Sequence, residues 1–186
     1  MSHAKTALLV IDVQQSFRHA PYFDESGLPA FLAAQQKLID GAQAAGIPII
    51  QIFHVDGDRA FAEESGFIRA LDGITINPTA TFRKNRHSAF VGTELDAWLT
   101  SHGIKRLIVS GIRTEQCCET TTRHGSDMGY AVDFVTEATL TFPMTHASGT
   151  VFSAADIAKR TELVLAGRFA RITTVDGALL AQQDAA

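Results

Sequence analysis

The chain has 186 residues, 46% of them hydrophobic and 19% charged, with a formal net charge of -4. That mixture suits one folded core rather than a disordered chain, and the slight acidic excess with no basic stripe argues against a nucleic-acid or anionic-membrane partner. No apolar run approaches the roughly 18 residues of a membrane span, and the two cysteines are adjacent, Cys117 and Cys118, which excludes a disulfide framework and fits a cytoplasmic, thiol-keeping compartment.

Met1 to Thr6 shows no signal-peptide pattern and leads straight into Ala7-Leu8-Leu9-Val10-Ile11, a continuous apolar run of the kind found in a central parallel strand. The run ends at Asp12. An ionisable residue there either faces a ligand beyond the strand or caps the next turn, and both readings stay open. Residues 18–28 are turn-rich. Pro29 to Ala45 reads as a helix stopped by Gly46, and residues 47–53 as a second strand with His54 at its end. A short helical segment is expected within residues 60–71. Residues 72–83 read as a connection, and the segment Thr81 to Phe90 carries Arg83, Lys84, Arg86 and His87; on composition it is a solvated basic loop. Thr93 to His102 predicts a helix, and Arg106 to Ser110 a third strand.

Next comes Gly111-Ile112-Arg113-Thr114-Glu115-Gln116-Cys117-Cys118, a tight turn leading into a helix that Gly129 ends. With Thr114 as N-cap, Cys117 falls on the first helical turn, where free N–H groups and the helix dipole favour a thiolate. Residues 130–135 predict a fourth strand, 137–143 a loop, 153–165 a helix capped by Ser153 or Thr150, and 169–174 a last strand; the tail from Val175 has no clear assignment. Alternating strands and helices predict one α/β domain over 1–186 with parallel pairing and helices on both faces of the sheet. The site is then expected beyond the carboxyl ends of the strands, where Asp12, His54 and Cys117 fall and the Lys84 segment can reach them.

A cysteine, a carboxylate and an ammonium make a set able to hydrolyse amides. Cys117 attacks a carbonyl carbon, Asp12 serves as general base and then acid, Lys84 holds and orients Asp12, and the backbone N–H groups of Arg113 and Cys117 receive the oxyanion. Phe17, Phe53, His54 and Gln14 are the expected substrate-pocket residues. A thiol redox or sensor protein using Cys117 and Cys118 is the rival from another class, and a binding module is disfavoured because Asp12-Val13-Gln14-Gln15 stands where a GxGxxG would be.

Three motifs in register carry a resemblance. They are Leu8 to Phe17 around Asp12, Lys84 followed four residues later by Ser88-Ala89-Phe90, and Gly111 to Cys117 with Thr114 three residues before the cysteine. The chain resembles the isochorismatase-like cysteine hydrolases, whose superfamily includes nicotinamidases and N-carbamoylsarcosine amidohydrolases. The resemblance implies a Rossmann-like three-layer α/β/α sandwich with a six-stranded, mostly parallel sheet. It also implies Asp12, Lys84 and Cys117 as a catalytic triad, a non-proline cis peptide at Ile112–Arg113, and a homo-oligomer. The activity implied is cleavage of a C–N bond in a small amide, ureide or lactam, with isochorismatase-type vinyl ether hydrolysis as the alternative. No cofactor is expected. The Asp-x-His order of metal-binding nicotinamidases is replaced here by His54-Val55-Asp56, so no metal is expected either.

Overall fold

The computed structural model describes residues 5–57 and 59–183. The strands are β1 (Lys5–Ile11), β2 (Ile49–His54), β3 (Ala80–Lys84), β4 (Ile104–Ile112), β5 (Ala131–Leu140), β6 (Met144–Thr145), β7 (Val151–Phe152) and β8 (Arg171–Thr173). The helices are α1 (Leu28–Ala44), α2 (Leu95–Ser101), α3 (Glu119–Asp127), α4 (Ala154–Leu165) and α5 (Val175–Gln183). Six strands form one parallel sheet in the order β3-β2-β1-β4-β5-β8, and β6 with β7 makes a separate antiparallel hairpin. No helix among the described residues is long and apolar enough to cross a membrane.

The continuous apolar run of β1 is explained by its place in the middle of this sheet. Its side chains alternate between two cores. Leu8 and Val10 join Phe31, Leu38 and Ile39 of α1 and Ala178 of α5. Ala7, Leu9 and Ile11 join Leu95 and Leu99 of α2, Cys118, and Leu165 of α4. The result is the expected three-layer sandwich. Local signals set the helix starts: Pro29 sits in the first turn of α1, and Ser153 caps α4 in a reciprocal capping box with Asp156.

Four expectations change. Residues 80–84 are strand rather than loop; β3 is an edge strand whose exposed and covered residues alternate, so its charges sit on a half-solvated surface. The fourth strand runs on to Leu140, because after an irregularity Thr139 and Leu140 pair with Gly111 and Ile112. Residues 60–71 hold two short 3₁₀ turns, Arg59–Phe61 and Glu63–Ser65, in place of a helix. Thr114 does not cap a helix: Arg113 takes the cap position without a side-chain bond, and the Thr114 hydroxyl donates to Thr139 Oγ1 at 2.8 Å.

The tightest point of the fold lies where β1 and β4 end side by side. Gly111 pairs with Ile11 and has φ of 130°, and a Cβ placed on it would lie 1.9 Å from the Ile11 carbonyl oxygen. Only glycine supplies both the conformation and the space. Gly111→Ala is therefore expected to destabilise the protein by about 4 kcal/mol or more, read from denaturant unfolding, with Gly46→Ala, which meets nothing within 4 Å, as the milder control.

Candidate active site

Three neighbouring strand ends and one turn bring the reactive groups together. Asp12 follows β1 with φ of 53°, a left-handed conformation uncommon for a residue with a side chain. Its N–H still donates to Ile52 O, as a strand residue would, while its carbonyl accepts from Gln14 N–H, so the chain turns away at the sheet edge. Lys84 ends β3 directly beside His54 of β2. Since β2 lies between β3 and β1, the lysine side chain spans the end of β2 to reach Asp12. Cys117 lies in a wide π-type turn, Thr114–Cys118, between β4 and α3. The Ile112–Arg113 peptide that opens this turn is cis.

The ammonium of Lys84 is the centre of the cluster. It donates to Asp12 Oδ2 at 2.7 Å and to Cys117 Sγ at 3.4 Å, and lies 3.1 Å from His54 Nδ1. The side chains of Lys84 and Asp12 are both fully buried. Burial alone would lower the lysine pKa, but Asp12 and Cys117 outweigh it and the pKa is raised, so the group is a cation. Cys117 shows the opposite balance. Burial and then the Asp12 charge push its thiol well above the ordinary cysteine range, against the opposing pull of Lys84. Burial and the Asp12 charge thus oppose the expected helix-stabilised thiolate and favour the thiol. Asp12 Oδ1 is buried and has no hydrogen-bond partner among the described residues, which leaves an acceptor in the same cluster as the thiol.

A cavity of about 310 Å³ opens onto Asp12, His54 and Cys117. Phe17 and His54 line it as expected. Gln14 and Phe53 do not: Gln14 is fully buried with its amide turned to the backbone, and Phe53 is buried on the other face of β2 from His54. Sequence reasoning missed Tyr22, Arg59, Phe61 and Gln116 as lining residues. Tyr22 comes from a turn-rich loop and Arg59 and Phe61 from a short 3₁₀ turn, none with a periodic pattern, whereas Gln116 stands directly before Cys117 in its turn, and that neighbour position was the available signal. The Arg113 side chain also faces the cavity; it pairs with Glu115 at 2.9 Å and lies over the rings of Tyr22 and Phe142.

Asp12, His54 and Cys117 each offer a donor atom within 4.8 Å of the others, the one such group among the described residues. A metal does not fit it, because Lys84 Nζ already lies within hydrogen-bond reach of all three.

Two outcomes follow from this charge arrangement. Alkylation of Cys117 by iodoacetamide is expected to keep rising about tenfold per pH unit up to pH 10, rather than pass half its plateau near pH 8.5 and level off above about pH 9.5, since the thiolate fraction grows until the raised pKa is passed. Lys84→Met is expected to cost about 3–5 kcal/mol in denaturant unfolding at neutral pH, because it leaves the Asp12 carboxylate buried without its partner.

Residues 6–173 match the Isochorismatase domain family model. Nicotinamidase 3 of Arabidopsis thaliana is 32% identical over 152 residues, covering 73% of each chain. The ureidoacrylate amidohydrolase RutB of Methylobacterium radiotolerans is 28% identical over 174 residues, covering 73% of this chain and 67% of its own. A crystal structure from Burkholderia xenovorans LB400 superposes with a TM-score of 0.89 at 29% identity, covering 98% of this chain and 89% of that one. With the sheet order, the motif spacing and the match along nearly the whole chain in agreement, this protein belongs to the isochorismatase family of hydrolases.

Proposed function

We propose that the chain hydrolyses a C–N bond in a small amide, ureide or lactam through a thioester on Cys117. One observation carries the reading: a single buried ammonium touches both a carboxylate and a thiol, and the carboxylate keeps its second oxygen open. The relatives named for nicotinamide and ureidoacrylate support the bond type, and the cavity volume suits a small molecule.

Asp12 Oδ1 takes the Cys117 proton as sulfur bonds to the carbonyl carbon. The oxyanion that forms is received by the backbone N–H groups of Arg113 and Cys117, two residues that line the cavity. The C–N bond then breaks, and Asp12 returns the proton to the departing nitrogen. In the second half Asp12 takes a proton from water, the hydroxyl adds to the thioester carbon, the C–S bond breaks, and sulfur regains its proton. Lys84 does no covalent chemistry; its charge faces the thiolate and holds Asp12 in place. Cys118 is fully buried in the core between sheet and helices and takes no part. A homo-oligomer has a surface available in the β6–β7 hairpin, which exposes Met144, Val151 and Phe152.

Incubation with a panel of small amides, ureides and lactams is expected to give an intact-mass increment on Cys117 equal to the acyl group of the substrate. Cys117→Ala is expected to lower turnover by at least about 10³-fold, whereas Cys118→Ala keeps it within about threefold. Turnover at the wild-type rate by Cys117→Ala would overturn the mechanism.

A further inference from the structure

An ammonium has three hydrogens and no lone pair. At Lys84 Nζ those three hydrogens meet three acceptors: Asp12 Oδ2 at 2.7 Å, His54 Nδ1 at 3.1 Å and Cys117 Sγ at 3.4 Å. Because the lysine can only donate, His54 Nδ1 must accept, which places the imidazole proton on Nε2. That nitrogen faces Asp56 Oδ2 at 3.3 Å, so the carboxylate receives the proton where the tautomer puts it. Burial and the Lys84 charge both lower the His54 pKa, in keeping with a neutral ring.

His54 itself is fixed from below. It sits opposite Lys84 in the parallel register of β2 and β3, which puts both side chains on one face at the strand ends. Gln14 holds its backbone at both groups: Gln14 Oε1 accepts from His54 N–H at 2.7 Å, and Gln14 Nε2 donates to His54 O at 2.9 Å. Gln14 Nε2 is in turn shared with Ser16 Oγ at 2.9 Å. The imidazole edge is covered by Phe61, with ring centres 6.0 Å apart.

We infer that His54 is a positioning residue that completes the acceptor cage of Lys84 and so fixes where the ammonium points, toward both Asp12 and Cys117. The inference rests on the Asp12–Lys84–Cys117 reading above. It assigns to Asp56 the second role of holding the His54 tautomer. Without the Nδ1 acceptor the buried ammonium is left with an unsatisfied hydrogen; it shifts to recover a partner, and the sulfur loses part of its cationic neighbour.

The test separates the two ring nitrogens. An asparagine at position 54 places an amide oxygen near the Nδ1 site, whereas a glutamine reaches the Nε2 site and leaves the Nδ1 site empty. The readout is the rate at which iodoacetamide alkylates Cys117, followed by intact mass and peptide mapping, with melting temperatures confirming that both variants fold. His54→Asn is expected to stay within about twofold of the wild-type rate and His54→Gln to fall about tenfold. In a Lys84→Met background the difference between them is expected to vanish, because the effect travels through the ammonium. Equal rates for the two variants, or a difference that survives in Lys84→Met, would overturn the inference. Failure of the underlying reading is distinguishable, since it shows as turnover by Cys117→Ala while the alkylation comparison stands independently.

Discussion

A charged lysine buried to zero exposure against a buried aspartate is costly unless each of its hydrogens is used. The rest of the site follows from that constraint. The ammonium must find three acceptors in one small volume, and they come from the ends of β1 and β2 and from the turn after β4. The parallel register puts Ile11, Ile52 and Gly111 in a row, so that Asp12, one residue on, and His54, two residues on, leave the sheet side by side, and the turn after β4 carries Cys117 to them. The ion pair is thus weak evidence of stability but strong evidence of placement: it persists because Asp12, His54 and Cys117 are held by backbone, not by their attraction to the lysine.

The backbone does this through local exceptions to regular structure. Asp12 takes a left-handed conformation, and Gly111 lets two strands approach more closely than any side chain would allow. The turn holding Cys117 is wider than an α-helical start, with the N–H groups of both Gln116 and Cys118 on the Arg113 carbonyl. These departures gather at one end of a sheet that is otherwise regular, as expected where geometry serves chemistry.

Much of this could be read from residue order. Apolar runs ending in ionisable residues located the sheet and the Asp12 position, and the spacing of Lys84 and Cys117 around their motifs supplied the partners. The structure brings all three within hydrogen-bond or donor-atom reach. Two things were not legible. One was β3, because an edge strand with alternating exposure carries charges and looks like a loop. The other was which way polar side chains face. Gln14 and His54 are both polar residues near strand ends, yet one turns to backbone and the other to the cavity. Gln14 is held by the His54 peptide, and His54 is turned to the cavity by its register beside Lys84, neither of which composition shows.

The double contact of Gln14 with the His54 backbone has a wider meaning. A side-chain amide stands in for the peptide group that β1 would have offered had it continued one residue further. The sheet is therefore sealed before the chain leaves for residues 18–28, where Tyr22 and Phe23 pack on Phe142 and Tyr22 lies under the Arg113 guanidinium. An exchange at Tyr22 reshapes the cavity wall and also removes the ring under the Arg113 guanidinium, at the start of the turn that carries Cys117. The covering segment and the cysteine turn are thus joined through one guanidinium, so a change in the wall of the cavity is also felt where the chemistry is held.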